Sequence, residues 1–498
     1  MLLERGGVNP ELRDRSGRTP LSYAAECGRE EIVKLLLERR EADPESRDNS
    51  GRTPVSNAAE SGSEGVVKLL LERKEVNPES RDDSGRTPIS HAAGADWGEG
   101  AVKLLLERGE VNPESRDNSG RTPLSHAAKS GDEEALKLLL EQKEVNPESQ
   151  DNSGRTPLSH AAGAGSAGTL KLLLERGEVD PESRDNDGRT PLSSAAGGGN
   201  AGVLRLLLER EEVNPESRDN SGRTPLSYAA GAYRGEGVVK LLLERGEINP
   251  ESRDNSGQTP LSHAAGGGGA VTLKLLLQRG KDDPESRDHG GRSPLSYAAG
   301  CRSEGIVKML LEREEVNPES RDNSGRTPLS HAAECGSEEI VKLLLERGEV
   351  NPESRDNSSR TPLSYAAAGE SAGKLKLLLE RGDVDPGSRD DDGRTPLSYA
   401  ADCWSEGIVK LLLEREEVDP ESRDNGGRTP VSYAAKCGSK ETVKMLLERE
   451  EVDPESRDGD GETLLSYAAK YGSKGILKLL LLFIFLITII TWALLRNS

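Results

Sequence analysis

Apolar residues recur along this chain at fixed slots, separated by long polar stretches. Residues 48–81 show the order: a polar turn Asp48-Asn49-Ser50-Gly51, a short apolar run through Pro54, Val55, Ala58 and Ala59, a second polar turn, and then Val66, Val67, Leu69, Leu70 and Leu71. Asp at the first and Gly at the fourth place favour a type I turn. Thr53 then stands where it can cap a helix, and Pro54 takes the first helical position, where its missing N–H costs nothing. The leading helix is therefore expected from Pro54 to Ala59, ending in a pair of small residues that admits a close neighbour. A trailing helix is expected over residues 63–73, and its apolar face is too wide to be covered from one side only. Glycines beyond it in other copies, Gly109, Gly177, Gly246, Gly348 and Gly382, suit left-handed helix ends. Val76-Asn77-Pro78-Glu79-Ser80-Arg81 leads on to the next turn, with Pro78 excluding helix.

This pattern repeats along the whole chain. Its proline stands at Pro20, Pro54, Pro88, Pro123, Pro157, Pro191, Pro225, Pro260, Pro294, Pro328, Pro362, Pro396 and Pro430, in steps of 34 residues with two steps of 35. A fourteenth copy, Glu462-Thr463-Leu464-Leu465-Ser466, keeps the register without the proline. Two short helices cannot bury their apolar face alone, so such units stack on copies of themselves. The expected fold is an all-α solenoid. Residues 1–13 form a partial repeat, 14–478 an array of fourteen units, and 479–495 a separate apolar segment.

Composition changes the picture little. A hydrophobic share of 33% with a net charge of −21 would lean toward disorder, but the periodic placing of the apolar residues overrules it. Acidity argues against a nucleic-acid partner, which requires clustered Lys and Arg. Cys27, Cys301, Cys335, Cys403 and Cys437 each stand seven residues after a repeat proline. Neighbouring helices lie ~8–10 Å apart and a disulfide needs Cα atoms within ~7 Å, so free thiols in a reducing compartment are expected.

The turn, Thr-Pro-Leu, Ala-Ala, the Gly-containing second turn, Val-Lys-Leu-Leu-Leu-Glu and Val-Asn together resemble the ankyrin repeat. The resemblance implies helix-turn-helix units joined by β-hairpin fingers, stacked into a curved superhelix whose fingers and inner helices bind other proteins. The extra residue per unit falls in the finger, as in the ankyrin arrays of filamentous fungi. Serine, as at Ser22, Ser56 and Ser90, stands where the family favours histidine, which puts the family's inter-repeat imidazole bond in doubt.

Finger residues such as Glu45, Ser46, Arg47 and Asp48 are expected to serve turn chemistry and surface ion pairs. Variation concentrates instead in the turn after the leading helix, where both 35-residue steps place their extra residue beside Trp97 and Tyr233. With aromatics at only 3% of the chain, Trp97, Lys129, Tyr233, Arg234 and Trp404 are the candidate protein-binding residues. Either the rings anchor a partner or they fold back over their own helix pair. His91, His126, His160, His263 and His331 share the slot before Ala-Ala that holds Tyr23, Tyr228 or Tyr365 elsewhere; repeat spacing forbids a shared metal, and packing is their expected role. No phosphate-binding loop, His-Glu-x-x-His or Gly-x-Ser-x-Gly occurs, so neither catalysis, a cofactor nor a small-molecule substrate is expected. Glycine clusters at Gly163–Gly168, Gly197–Gly199 and Gly266–Gly269 are expected to weaken helices and act as hinges, with early proteolytic nicking near Gly266–Gly269.

Leu479 to Leu495 carries neither charge nor glycine and holds both phenylalanines, Phe483 and Phe485, with Trp492 near its far end. Seventeen helical residues span ~25 Å, close to a hydrocarbon core once Ile476 and Leu477 are added. Lys470, Lys474 and Lys478 before it and only Arg496 after it place the array in the cytosol, on a single-pass tail anchor. The rivals are a junction that is not coding sequence and an apolar last helix closing the stack; a cytoplasmic adaptor is the alternative location. Met1 to Pro10 aligns with the end of a trailing helix and its finger, so an upstream extension is expected. In fungal arrays the resemblance implies an NTPase or F-box domain there, with this chain as its sensor arm.

Overall fold

The computed structural model describes residues 9–39, 41–278, 283–369 and 371–482. Every repeat begins as its local chemistry dictates. In the Pro54 repeat, Asp48 Oδ1 accepts the N–H groups of Ser50 at 2.8 Å and Arg52 at 3.0 Å, and Gly51 N–H donates to Asp48 O at 3.0 Å. Gly51 closes this turn at φ 74°, a conformation open to glycine because it has no Cβ. Thr53 then caps the leading helix Pro54–Glu60 by accepting the Ser56 N–H, a contribution of about 1 kcal/mol. The trailing helix is Glu64–Leu71. Leading helices run six to eight residues and trailing ones eight or nine, too short to persist in water unaided.

Their stability comes from stacking. Val55, Ala58 and Ala59 of the leading helix and Val66, Val67 and Leu70 of the trailing helix are fully buried. The chain divides into two units, Met1–Asn255 and Ser256–Ser498. Within each, a leading helix packs on the next leading helix and on its own trailing partner, and trailing helices pack on trailing helices. The fourteenth repeat begins to follow suit: residues 474–482 are helical, with Ile476 and Leu480 buried.

Three expectations need correction, and a fourth falls outside the described residues. No strand forms among the described residues, where the single isolated bridge joins Arg457 and Thr463, so the fingers are successive tight turns and not hairpins. The reason lies in the aspartate: Asp48 N–H donates to Arg52 O, but the return bond from Arg52 N–H goes to the Asp48 carboxylate. Trailing helices also end sooner than expected, at Leu71 in the Pro54 repeat, where Arg73 N–H tightens onto Leu70 O and Val76 N–H onto Arg73 O. The chain thus leaves in a right-handed turn. Of the five glycines read as left-handed ends only Gly109 has positive φ, 69°, whereas Gly131, Gly165, Gly268 and Gly438 end leading helices that way. Phe483, Phe485 and Trp492 lie outside the described residues, as does most of 479–495; among the described residues no helix is long and apolar enough to cross a membrane.

Candidate functional site

The face made by the leading helices and the turns after them carries most of the chain's rings. Nine residues before each ring slot stands the aspartate of the turn, and in most repeats its second oxygen receives the ring; at Tyr23, itself 52% exposed, Asp14 Oδ2 is taken by Arg18 instead. His91, His126, His160 and His331 place Nε2 at 3.0–3.1 Å from Oδ2 of Asp82, Asp117, Asp151 and Asp322. Tyr228, Tyr365, Tyr399, Tyr433 and Tyr467 donate their hydroxyls to Asp219, Asp356, Asp390, Asp424 and Asp458 at 2.5–2.6 Å. One carboxylate therefore closes the turn with one oxygen and fixes the helix above it with the other.

Arginines of the turns interleave with these rings. Arg326 and Arg360 lie 4.3 and 4.8 Å from the Tyr365 ring centre, and Arg394 lies 4.2 Å from Tyr399 and 4.3 Å from Tyr433. Each such contact contributes about 0.5–2 kcal/mol, more as water is excluded. The mixture sets the ionisation of the row. Burial, reinforced by the charge of Arg155, lowers His160 to about 4, and burial with Arg326 does the same to His331. At His91 burial also disfavours the proton, but Asp82 and Glu60, the latter 3.8 Å from Nδ1, outweigh it and raise the pKa. Burial and the bond to Asp288 push Tyr297 up to about 12. The row is thus mostly neutral rings clamped between guanidinium groups.

Beneath it runs a buried hydroxyl relay that takes the place of the doubted imidazole bond. Thr19 Oγ1 lies 3.1 Å from Ser22 Oγ of the helix it caps and 3.1 Å from Ser46 Oγ of the finger that closes its repeat; Thr87 repeats this with Ser90 at 3.1 Å and Ser115 at 2.9 Å. The finger residues do more than turn chemistry. Glu45 accepts Asn77 N–H at 2.9 Å and Ser80 Oγ at 2.7 Å from the following repeat, and Arg47 donates to Arg81 O at 2.6 Å. These bonds span 32 to 35 residues of sequence, which is why the residues of one finger did not disclose them.

The candidate partner-contacting residues sit on the turns after the leading helices and point outward. Trp97 is 76%, Tyr233 96% and Trp404 63% exposed, so the rings do not fold back over their helices. Lys129 and Arg234 are exposed as well. The two lengthened turns hold their shape through close backbone approach: a Cβ on Gly98 would meet Ala92 O at 1.8 Å, and one on Gly235 would meet Ala229 O at 1.7 Å. The structure does not gather these five residues into one site; Trp97, Lys129, Tyr233 and Arg234 belong to the first unit and Trp404 to the second. The cysteines are free, and burial with the Asp402 carboxylate pushes the Cys437 thiol up to about 12. Among the described residues no group of three or more His, Cys, Asp or Glu could hold a metal ion.

Sequence reasoning missed the aspartate–ring pairs, although their constant spacing of nine residues was available. It also missed two cavities on this face. One of 370 Å³ is lined by Lys129, Arg155, His160, Asp185, Arg189 and Tyr228 among others, and one of 340 Å³ surrounds Asn57. A family model described as ankyrin repeats in three copies matches the chain in overlapping stretches, from residues 1–82 and 40–115 through to 371–458 and 403–486. No curated protein matches the chain.

Proposed function

The chain belongs to the ankyrin-repeat family, and from that premise we propose that it is a non-enzymatic scaffold binding other proteins along the face of its leading helices and the turns beyond them. Ankyrin repeats are interaction modules, and the observation that carries the reading here is the outward display of Trp97, Tyr233 and Trp404 on the turns that vary most. Large rings held on rigid turns lose little freedom on binding and anchor interfaces well. Lys129 and Arg234 beside them supply charge for steering. Capture from cell extract with the full chain and with Trp97→Ala plus Trp404→Ala tests this. Proteins retained by the first should fall at least tenfold with the second, and an unchanged set would remove the rings from the interface.

A second element of the reading rests on residues 479–495. Their uninterrupted apolar character, with Phe483, Phe485 and Trp492 and lysines on the array side, supports a tail anchor that holds the array on the cytosolic face of a membrane. Fractionation of the full chain against one ending at Lys478 decides between this and a cytoplasmic adaptor. The anchor requires the full chain to sediment with membranes and the shortened one to leave them.

A further inference from the structure

Of the fourteen ring slots, twelve hold His or Tyr; the exceptions are Asn57 and Ser194. The two cavities described above stand at these two exceptions. The gap at Ser194 is the more complete. Its leading helix, Pro191–Gly197, is intact, and Leu192, Ala195 and Ala196 below the slot are fully buried, so the missing ring leaves a hole in the row without loosening the repeat.

Around the hole the partners of the absent ring remain. Asp185 makes its turn as every equivalent does, Oδ1 accepting Asp187 N–H at 3.0 Å and Arg189 N–H at 2.8 Å. Its Oδ2, which in most other repeats receives a ring donor, has no hydrogen-bond partner among the described residues, and Asp185 is partly exposed where Asp151 and Asp219 are buried. Arg155 and Arg189 stand where Arg326 and Arg360 flank Tyr365. Arg189 also reaches the next ring along, as Arg326 reaches Tyr365 and Arg394 reaches Tyr433, its Nε donating to Tyr228 Oη at 2.8 Å. Lys129 adds a third cation to the lining; Arg155 is held by Asp151 at 3.0 Å and Arg189 lies 3.6 Å from Asp187, so among the described residues Lys129 is the lining cation without an ion-pair partner.

We propose that the Ser194 gap is a recognition subsite for a tyrosine side chain carried on an acidic segment of a partner protein. The phenol completes the row: its hydroxyl donates to Asp185 Oδ2, its ring lies between Arg155 and Arg189, and a carboxylate beside it meets the charge of Lys129. The volume of 370 Å³ holds a phenol with its flanking backbone. Phenylalanine would fill the same space but leave Asp185 unpaired, so the hydroxyl sets the selectivity. This deepens the proposed scaffold role and rests on the leading-helix face being the binding face.

The test is calorimetric titration of the full chain with acetyl-Glu-Glu-Tyr-Glu-Glu-amide and its alanine, phenylalanine and phosphotyrosine counterparts. The tyrosine peptide should bind at least tenfold tighter than the alanine peptide. Ser194→Tyr, which fills the slot from within as Tyr228 and Tyr365 fill theirs, should reduce its binding to the alanine level. Asp185→Asn should abolish the preference for tyrosine over phenylalanine while Ser194→Tyr confirms that a filled row still folds. Equal binding of the tyrosine and alanine peptides, or binding untouched by Ser194→Tyr, would overturn the subsite. Tighter binding of the phosphotyrosine peptide would overturn it too, since a phosphate cannot approach Asp185. Failure here with capture still sensitive to Trp97 and Trp404 would sink the subsite alone and leave the scaffold reading standing.

Discussion

The stretch from Tyr365 to Tyr433 and the stretch from His160 to Tyr228 are built from the same repeat and differ in one row of side chains. In the first, Tyr365, Tyr399 and Tyr433 follow one another, each hydroxyl on its own aspartate and each ring against a guanidinium at 4.2–4.8 Å. In the second, Ser194 interrupts the row and its aspartate opens to solvent. The leading helices Pro191–Gly197 and Pro362–Ala368 have the same length, the same threonine N-cap and the same buried Leu-Ala-Ala triplet. The difference teaches that the stack is secured one layer below the rings, by apolar residues and the hydroxyl relay. The ring slot is therefore free to vary, and its variation changes the binding face without moving the backbone.

The largest effect should come from cutting a second gap into the closed row. Tyr433 is buried and bonded, so Tyr433→Ala is expected to cost about 3 kcal/mol, read as lost hydrogen-exchange protection in Pro430–Cys437. Protection unchanged would mean that the rings are decoration even where the row is complete.

Acid should separate histidine-bearing from tyrosine-bearing repeats. Unfolded histidine takes its proton near 6.5, whereas folded His160 and His331 do so only near about 4. The unfolded chain therefore binds more protons between these values, and the stability these repeats hold above pH 6.5 is lost as pH falls toward 4, by about 1 kcal/mol per pH unit for each histidine. Glu148, raised to about 6 by burial, acts in the opposite sense, gaining stability as pH falls. The clean measurement is the difference between the native chain and His160→Tyr, which leaves Glu148 in place. The native chain should lose protection around residue 160 on going from pH 6.5 to 4.5 and the variant should not; parallel curves would show that the buried imidazole is not the group responsible.

The smallest effect should be that of mending the broken row. Ser194→Tyr fills a cavity and supplies Asp185 with a donor, for a gain of about 0.5–2 kcal/mol in the protection of Pro191–Gly197. A loss instead would show that the space around Ser194 cannot take a ring in the arrangement of Tyr365.

Much of this was legible in the chain itself. Thr53 capping and Pro54 opening a helix needed no partner, because both act within one turn of backbone; every repeat that keeps the proline starts its helix there, and most cap it as Thr53 does. The finger was misread for an equally local reason: the Asp48 carboxylate competes with a main-chain carbonyl for Arg52 N–H, and a propensity for hairpins cannot see which acceptor wins. The trailing glycines were misread because a right-handed exit toward Val76 is as cheap as a left-handed stop once Val76 has a core to enter, at 3% exposure. Of the candidate site, the variable turns and their rings were found from variation between copies. The Ser194 gap was not, although the serine was in view, because its meaning depends on the rings and arginines of the repeats on either side.

The sequence by itself determined the number and register of the repeats, the start of each leading helix and the slots that enter the core, because caps, turns and apolar periodicity act over a few residues and recur unchanged. Only the tertiary structure decided which side chains meet across repeats. Glu45 with Ser80, Arg47 with Arg81 and the empty place between His160 and Tyr228 arise when residues about one repeat apart in sequence, or two in the last case, are brought side by side by burying the leucines beneath them.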